Sequence, residues 1–118
     1  MPSFVSLNLN KDFLRLYHRG RSCARPALVV YAMKNRTGLC RAGITTSKKI
    51  GHAVARNRAR RVIRAAYLAV PESLSGSYDI VFVARTRTVR KKSTELTPVI
   101  EKHLRSAGVI QSVTQDRA

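Results

Sequence analysis

The sequence predicts an α+β protein: a two-layer α/β sandwich in which a small mixed sheet packs against helices, in the order α-β-β-α-β-α. Three observations predict it. The runs Ala27–Met33 and Tyr78–Arg85 are apolar and rich in β-branched and aromatic residues, as buried strands are. Three other stretches place apolar residues at three- and four-residue spacing, which lines up one face of a helix. Pro26, Gly38, Pro71 and Gly108 punctuate the chain around these segments.

In order, residues 1–9 carry no charged side chain and read as a loose or lightly docked N-terminal arm. Asn10 can cap a first helix over Lys11–Arg19, with Asp12 favourably placed in its first turn and Gly20 as its stop. Phe13, Leu16 and Tyr17 share one face of it, a spacing that fits plain core packing. Arg21–Arg25 is polar and basic. Ala27–Met33 reads as a strand covered on both sides, and Lys34–Gly38 has hairpin-loop composition. Leu39–Thr46 then returns as a strand with alternating faces. Pro71–Ser77 is a loop, Tyr78–Arg85 the clearest strand, and Arg85–Lys92 a second basic surface. A last helix starts at Ser93 or Thr94, buries Leu96, Ile100, Leu104 and Ala107, and stops at Gly108. Residues 10–110 thus form a single domain, followed by a flexible tail over 111–118.

Between the second and third strands lies Ser47–Tyr67, which holds Lys48, Lys49, Arg56, Arg58, Arg60, Arg61 and Arg64 and no acid. As a helix from about Ala53 to Ala69 it has two faces. Ala55, Ala59, Val62, Ile63, Ala66 and Val70 form an apolar stripe. Arg56, Asn57, Arg60, Arg61 and Arg64 lie opposite, with Arg58 at the boundary. Arg56/Arg60 and Arg60/Arg64 are like-charge pairs one turn apart, each costing an isolated helix about 0.2–0.5 kcal/mol. A merely solvated face would mix Glu with its arginines, so the pattern favours a polyanion partner. Just before the helix, Lys48, Lys49 and the flexible Gly51 adjoin the exposed N–H groups of its first turn, where phosphate is favoured. Lys48, Lys49, Gly51, Arg56, Arg60 and Arg64 are therefore expected to bind sulfate or phosphate.

Composition narrows the function classes. The chain has 118 residues, 44% of them hydrophobic, enough for a packed core, and 23 basic against six acidic residues give +17. No apolar run approaches the ~20 residues of a membrane span, so no membrane partner is expected. Met1–Asn10 lacks the pattern of a signal peptide, and Cys23 and Cys40 are expected as reduced thiols in a cytoplasmic protein. His18, His52 and His103 have no metal-ligand spacing to either cysteine. The acids never pair closely on one element, and there is no nucleophile elbow or phosphate-binding glycine loop. These features describe a binding module. A DNA recognition helix is disfavoured because the basic helix is fixed between strands with no helix-turn-helix partner before it. RNA fits better, with Phe13, Tyr17 and Tyr31 available to stack unpaired bases while arginines hold phosphates.

The run Ser47-Lys48-Lys49-Ile50-Gly51, continued by Ala53-Val54-x-Arg56-Asn57-Arg58-x-x-Arg61-x-Ile63-Arg64, resembles the signature of the bacterial ribonuclease P protein subunit. Asp12-Phe13 with Tyr17 and Gly20, Val29-x-Tyr31, and Tyr78-Asp79-Ile80-Val81 with Ala84-Arg85 extend the resemblance over most of the chain. It departs from the family in lacking Lys or Arg before Lys11, and in His52 and Tyr17, where smaller or amide residues and Phe are common. The resemblance implies an α/β sandwich with a left-handed β-α-β crossover around the basic helix. It implies a non-catalytic subunit that binds a catalytic RNA and the 5′ leader of precursor tRNA, assisting Mg²⁺-dependent removal of the leader. The protein alone would bind no cofactor, and the Mg²⁺ would belong to the RNA. By the same resemblance Phe13, Tyr17, Val29 and Tyr31 line the leader cleft, with Asn57, Arg60 and Arg64 beside it. Lys48, Lys49, Arg56, Arg58 and Arg61 face the catalytic RNA. Two rival readings are a ribosomal-type structural RNA binder, which needs no aromatic cleft, and a stand-alone nuclease, which needs a carboxylate metal cluster.

Charge makes one expectation measurable. Folding crowds a net +17 into a small volume, so it is opposed electrostatically until anions bind. A ligand at a hundredfold excess over Kd adds about 2.7 kcal/mol, a large share of the ~5–15 kcal/mol of a typical domain. Far-UV circular dichroism should show the isolated chain gaining helix in millimolar sulfate relative to chloride at equal ionic strength. A cooperative fold in anion-free, low-salt buffer that sulfate leaves unchanged would show the repulsion to be too weak.

Overall fold

Tyr78–Ala84, apolar on both sides of its pleat, occupies the middle of the sheet in the computed structural model, which describes residues 5–7, 9–36, 40–70 and 78–106. Along the chain the strands are β1 (Val5–Ser6), β2 (Arg21–Arg25), β3 (Leu28–Lys34), β4 (Arg41–Thr45) and β5 (Tyr78–Ala84). The helices are α1 (Asn10–Arg19), α2 (Ala53–Leu68) and α3 (Ser93–Ser106), with short 3₁₀ turns at Lys48–Ile50 and Thr86–Arg90. The sheet order is β1-β4-β5-β3-β2. β5 pairs antiparallel with β3 and parallel with β4, so β4, α2 and β5 form a β-α-β unit.

Alternation along the strands divides the molecule. Leu28, Val30 and Ala32 of β3 and Ile80, Phe82 and Ala84 of β5 face α2 and α3, which pack against each other. There they meet Ala59, Ile63, Ala66 and Tyr67 of α2 and Leu96, Ile100 and Leu104 of α3, and the Tyr67 and Phe82 rings lie 5.4 Å apart. Each of the larger aliphatic and Phe side chains among them stabilises by about 1.5–3 kcal/mol. The sheet and the α2–α3 pair are the two full layers. α1 lies across the other face over a smaller cluster of Leu7, Leu16 and Val81, with Tyr31, Met33 and Val83 packed beside it.

Several expectations are corrected. β2 is an additional strand, giving α-β-β-β-α-β-α after the two-residue β1. It is an edge strand, exposed on nearly every residue, so no hydrophobic pattern marks it; its order comes from backbone pairing with β3. Lys34–Gly38 does not close a hairpin between neighbours, because β5 lies between β3 and β4. The tight turn is at Pro26-Ala27, joining β2 to β3. β3 is fully covered only on the α2–α3 side, since Val29, Tyr31 and Met33 remain half-exposed under the short α1. Leu9, not Asn10, occupies the cap position of α1. Val5–Leu7 is docked: β1 pairs parallel with β4, and the Leu7 N–H donates to the Ala42 carbonyl at 2.9 Å. Residues 1–4, Gly38 of the expected loop, Leu39 at the start of the expected second strand, Pro71–Ser77, Ala107, Gly108 and residues 109–118 lie outside the described residues.

One charged group ties α1 to the sheet. Asp79 on β5 is directly opposite Arg41 on β4, and its side chain is 1% exposed. Its carboxylate accepts from Arg41 Nε at 2.8 Å and Nη2 at 2.9 Å, from Arg15 Nη2 of α1 at 3.1 Å, and from Asn35 Nδ2 at 2.7 Å. Arg15 also bonds Asp12 Oδ1 at 3.0 Å. Burial pushes the Asp79 pKa up, but the bonds from Arg41 and Asn35 and the charges of Arg41 and Arg15 outweigh it and hold the group below its ordinary 3.8. The unfolded chain therefore takes up this proton first as pH falls. The Asp79 contribution is complete above the ordinary carboxylate range and disappears as pH drops through the depressed folded value. Asp79→Asn should flatten the acid limb of a stability-versus-pH curve below about pH 4. It should cost about 1.5–3 kcal/mol at pH 7 by chemical denaturation, the range for hydrogen bonds to charged groups. An unchanged acid limb would show that other groups set it.

Candidate nucleic-acid interface

α1 is short, and its helical spacing turns Leu16 into the sheet while Phe13 and Tyr17 flank the contact. On β3 the strand period brings Val29, Tyr31 and Met33 to the same surface. Tyr17 and Tyr31 meet edge to face, with centroids 5.1 Å apart and planes at 74°, and Tyr17 is 38% exposed. Phe13 rests directly on Gly43 of β4. A Cβ on Gly43 would lie 2.6 Å from the Phe13 Cζ, so the absence of a side chain there sets the depth of the ring.

Leu7 makes the last bond from the β1 segment to β4 among the described residues, and α2 runs beside the edge of β4 beyond it. Arg60 Nη1 donates to the Ile44 carbonyl at 3.1 Å, using an acceptor on that edge. The result is a hollow of about 410 Å³ with Leu7, Phe13, Gly43 and Ile44 on one side and Arg60, Arg61 and Arg64 on the other. Aromatic and apolar floor meets guanidinium wall, the combination that holds single-stranded nucleic acid.

The approach to α2 is built separately. Lys48–Ile50 forms one 3₁₀ turn, and Gly51 follows at φ 138°, a conformation L side chains rarely adopt. This turn leaves Lys48 and Lys49 exposed just before the helix. His52 at the cap position makes no side-chain cap bond, and the first turn holds no acid. Arg56 is half-buried, Asn57 is exposed, and Arg58 Nε donates to the Val89 carbonyl at 2.9 Å, joining α2 to the Thr86–Arg90 turn. Ala59, Val62, Ile63 and Ala66 are buried as the periodicity predicts, and Tyr67 joins them.

The structure thus brings Phe13, Arg60 and Arg64 into one hollow, and Tyr17, Val29 and Tyr31 onto the face beside it. Arg61 lies with Arg60 and Arg64, apart from Lys48 and Lys49, while Asn57 is not among the residues lining the hollow. Gly43 and Leu7 went unrecognised in the sequence because only the docking of α1 and β1 on the sheet places them against Phe13, and Ile44 because its part is its backbone carbonyl, which accepts from Arg60. Among the described residues, no group of three or more His, Cys, Asp or Glu side chains could hold a metal ion. No helix among them is long and apolar enough to cross a membrane.

The family model for ribonuclease P matches residues 1–108. The chain belongs to the ribonuclease P protein family. It is 46% identical over 80 residues to the ribonuclease P protein component of Clostridioides difficile, covering 67% of this chain and 70% of that protein. It is 40% identical over 106 residues to the component from Pelotomaculum thermopropionicum, covering 90% of this chain and 95% of its relative. The solved structure of the Staphylococcus aureus RNase P protein superposes with a TM-score of 0.78 at 31% identity, over 92% of this chain and all of the other. As a ribonuclease P protein of bacterial type, the chain is the protein subunit of the ribonucleoprotein endoribonuclease that matures tRNA 5′ ends.

In this ribonuclease P protein, the Phe13–Gly43 contact generates a prediction that needs no RNA. Gly43→Ala should displace the Phe13 ring and destabilise the domain by about 1–3 kcal/mol, as overpacking does. Thermal unfolding, with NMR of the Phe13 ring, checks both effects; a variant with wild-type stability and ring shifts would show that the contact is loose.

Proposed function

We propose that the aromatic–arginine hollow grips the 5′ leader of precursor tRNA while the remaining basic surface of α2 holds the catalytic RNA. One observation carries this reading: Phe13 and three α2 arginines line a single hollow beside the Tyr17–Tyr31 pair. Unpaired bases would stack on the rings and the leader phosphates would meet Arg60 and Arg64. Asn57 lies on the same exposed helix face, within the part of α2 that the leader would follow. Lys48, Lys49, Arg56 and Arg58, clustered where α2 begins, suit the RNA subunit, and Arg61 joins the leader side on geometry. A ribosomal-type binder would have no use for the exposed aromatic pair. Mg²⁺ would be held and used by the RNA subunit. In the isolated protein, sulfate or phosphate would occupy the Lys48–Gly51 approach and the Arg56, Arg60 and Arg64 row. Two partly buried free thiols, Cys23 and Cys40, suit a reducing cytoplasm.

The two RNA surfaces should separate by mutation. Tyr17→Ala or Tyr31→Ala should remove about 1–3 kcal/mol of stacking, seen as weaker affinity for precursor tRNA with a leader and unchanged affinity for leaderless tRNA. Arg56→Ala should weaken assembly with the RNA subunit and lower its salt dependence by about one counterion. Equal loss with leaderless tRNA in the tyrosine variants would contradict the leader assignment.

A further inference from the structure

On the opposite side of the sheet from the aromatic cleft, α3 and the Thr86–Arg90 turn close over the Pro26-Ala27 turn and leave a second hollow of about 370 Å³. Ala27, Leu96 and Val99 make its walls apolar. His103 of α3 lines it as well, 1% exposed, and neither ring nitrogen reaches a partner within hydrogen-bond geometry. The Leu28 backbone lies close enough to act on the ring but short of good hydrogen-bond geometry. The polar capacity of a buried group is thus left largely unused, which is uncommon in a folded protein. Burial and the nearby charges of Arg25 and Lys102 hold this imidazole below its ordinary pKa, against a weaker pull from the Leu28 backbone. It is therefore neutral at pH 7, with one nitrogen a donor and the other an acceptor.

The mouth of the hollow is cationic, with Arg25, Arg87 and Lys102 on its rim. Glu95 also lines it, but its carboxylate is taken up by Lys91 at 4.0 Å and by the Lys92 N–H at 2.9 Å. An adjoining hollow of about 430 Å³ shares Arg25 and Arg87 and adds Arg85, whose Nη1 donates to the Arg25 carbonyl at 3.2 Å. An inorganic anion would satisfy the rim and leave the apolar walls and His103 unused. A purely apolar ligand would do the reverse. A nucleotide answers both, with its base in the slot and its phosphates at the mouth.

We propose that this hollow receives one unpaired nucleotide of the catalytic RNA subunit, its base between Ala27 and Val99 against His103 and its flanking phosphates on Arg25 and Arg87. The inference rests on the reading that the protein's partner is that RNA. The leader cleft occupies the other face of the sheet. The Arg58 bond to Val89 instead joins this turn to the α2 surface assigned to the RNA subunit. The hollow therefore extends that surface across to α3.

The test has two arms. In the first, 5′-AMP or 5′-UMP is titrated into the full chain against inorganic phosphate at equal ionic strength, following the His103 ring signals by NMR. Nucleotides should shift them saturably and phosphate should not. Shifts confined to basic residues and equal for phosphate would mean an adventitious ion only, and would overturn the proposal. In the second, Val99→Phe, which fills the slot, and Arg87→Ala, on the exposed rim, are assayed for binding to the RNA subunit. Each should weaken it roughly tenfold, with the advantage of leader-bearing over leaderless precursor unchanged. Should Val99→Phe perturb folding by circular dichroism, Arg87→Ala decides alone. Folded variants that bind the RNA subunit like the parent would overturn this inference and leave the proposed function standing. An effect confined to leader-bearing precursor would overturn the assignment to the RNA subunit. Failure of the parent chain to bind the RNA subunit would bring down both.

Discussion

The buried carboxylate of Asp79 is the point at which the position of α1 on the sheet is settled. Four hydrogen bonds reach it from α1, from β4 and from the residue after β3. Desolvating a carboxylate and its partners offsets much of their attraction, so such a network contributes placement more than stability. Placement is what α1 needs. Leu16 is its only fully buried apolar side chain, with Phe13 and Tyr17 at the margins of the contact, so apolar packing alone holds it loosely. The bidentate hold on Arg41 and the reach to Arg15 fix the angle at which α1 crosses, and with it the positions of Phe13 and Tyr17.

Acids elsewhere are spent in the same way. Asp12 and Asp79 bind Arg15 and Arg41, and Glu95 binds Lys91 and the backbone at the start of α3. α2 contains no acid, so its arginines repel one another along one face. The fold tolerates that because the opposite stripe of α2 is buried against β5 and α3, where apolar burial outweighs the surface repulsion. A ribonucleoprotein subunit can carry such a surface because the missing counter-charge arrives with the RNA.

The sheet separates two kinds of surface. One face is closed by α2 and α3 and carries the larger core. The other is covered only in part by α1, and its remaining aromatic residues stay within reach of a ligand. Gly43 lets Phe13 sit low on that face, and the end of β1 leaves an edge of β4 open for the guanidinium of Arg60. The incomplete layer leaves Phe13, Tyr17 and Tyr31 partly uncovered beside the arginines of α2.

By itself the sequence determined the α+β class, the helical faces of α2 and α3, the central apolar strand and the polyanion partner. Each depends on periodicity, composition or charge, which are local and survive without knowledge of neighbours. The motif around Lys48–Arg64 also carried the family. Only the tertiary structure decided that β5 separates β3 from β4, because strand order follows from which runs can be covered on both faces. It alone revealed β2, an exposed edge strand held by backbone bonds that leave no trace in side-chain pattern. It alone grouped Arg61 with Arg60 and Arg64 against Phe13, and placed His103 in an apolar slot rimmed by Arg25 and Arg87. Those groupings join residues dozens of positions apart, and they exist only once β4, α1 and α3 are fixed against the same sheet.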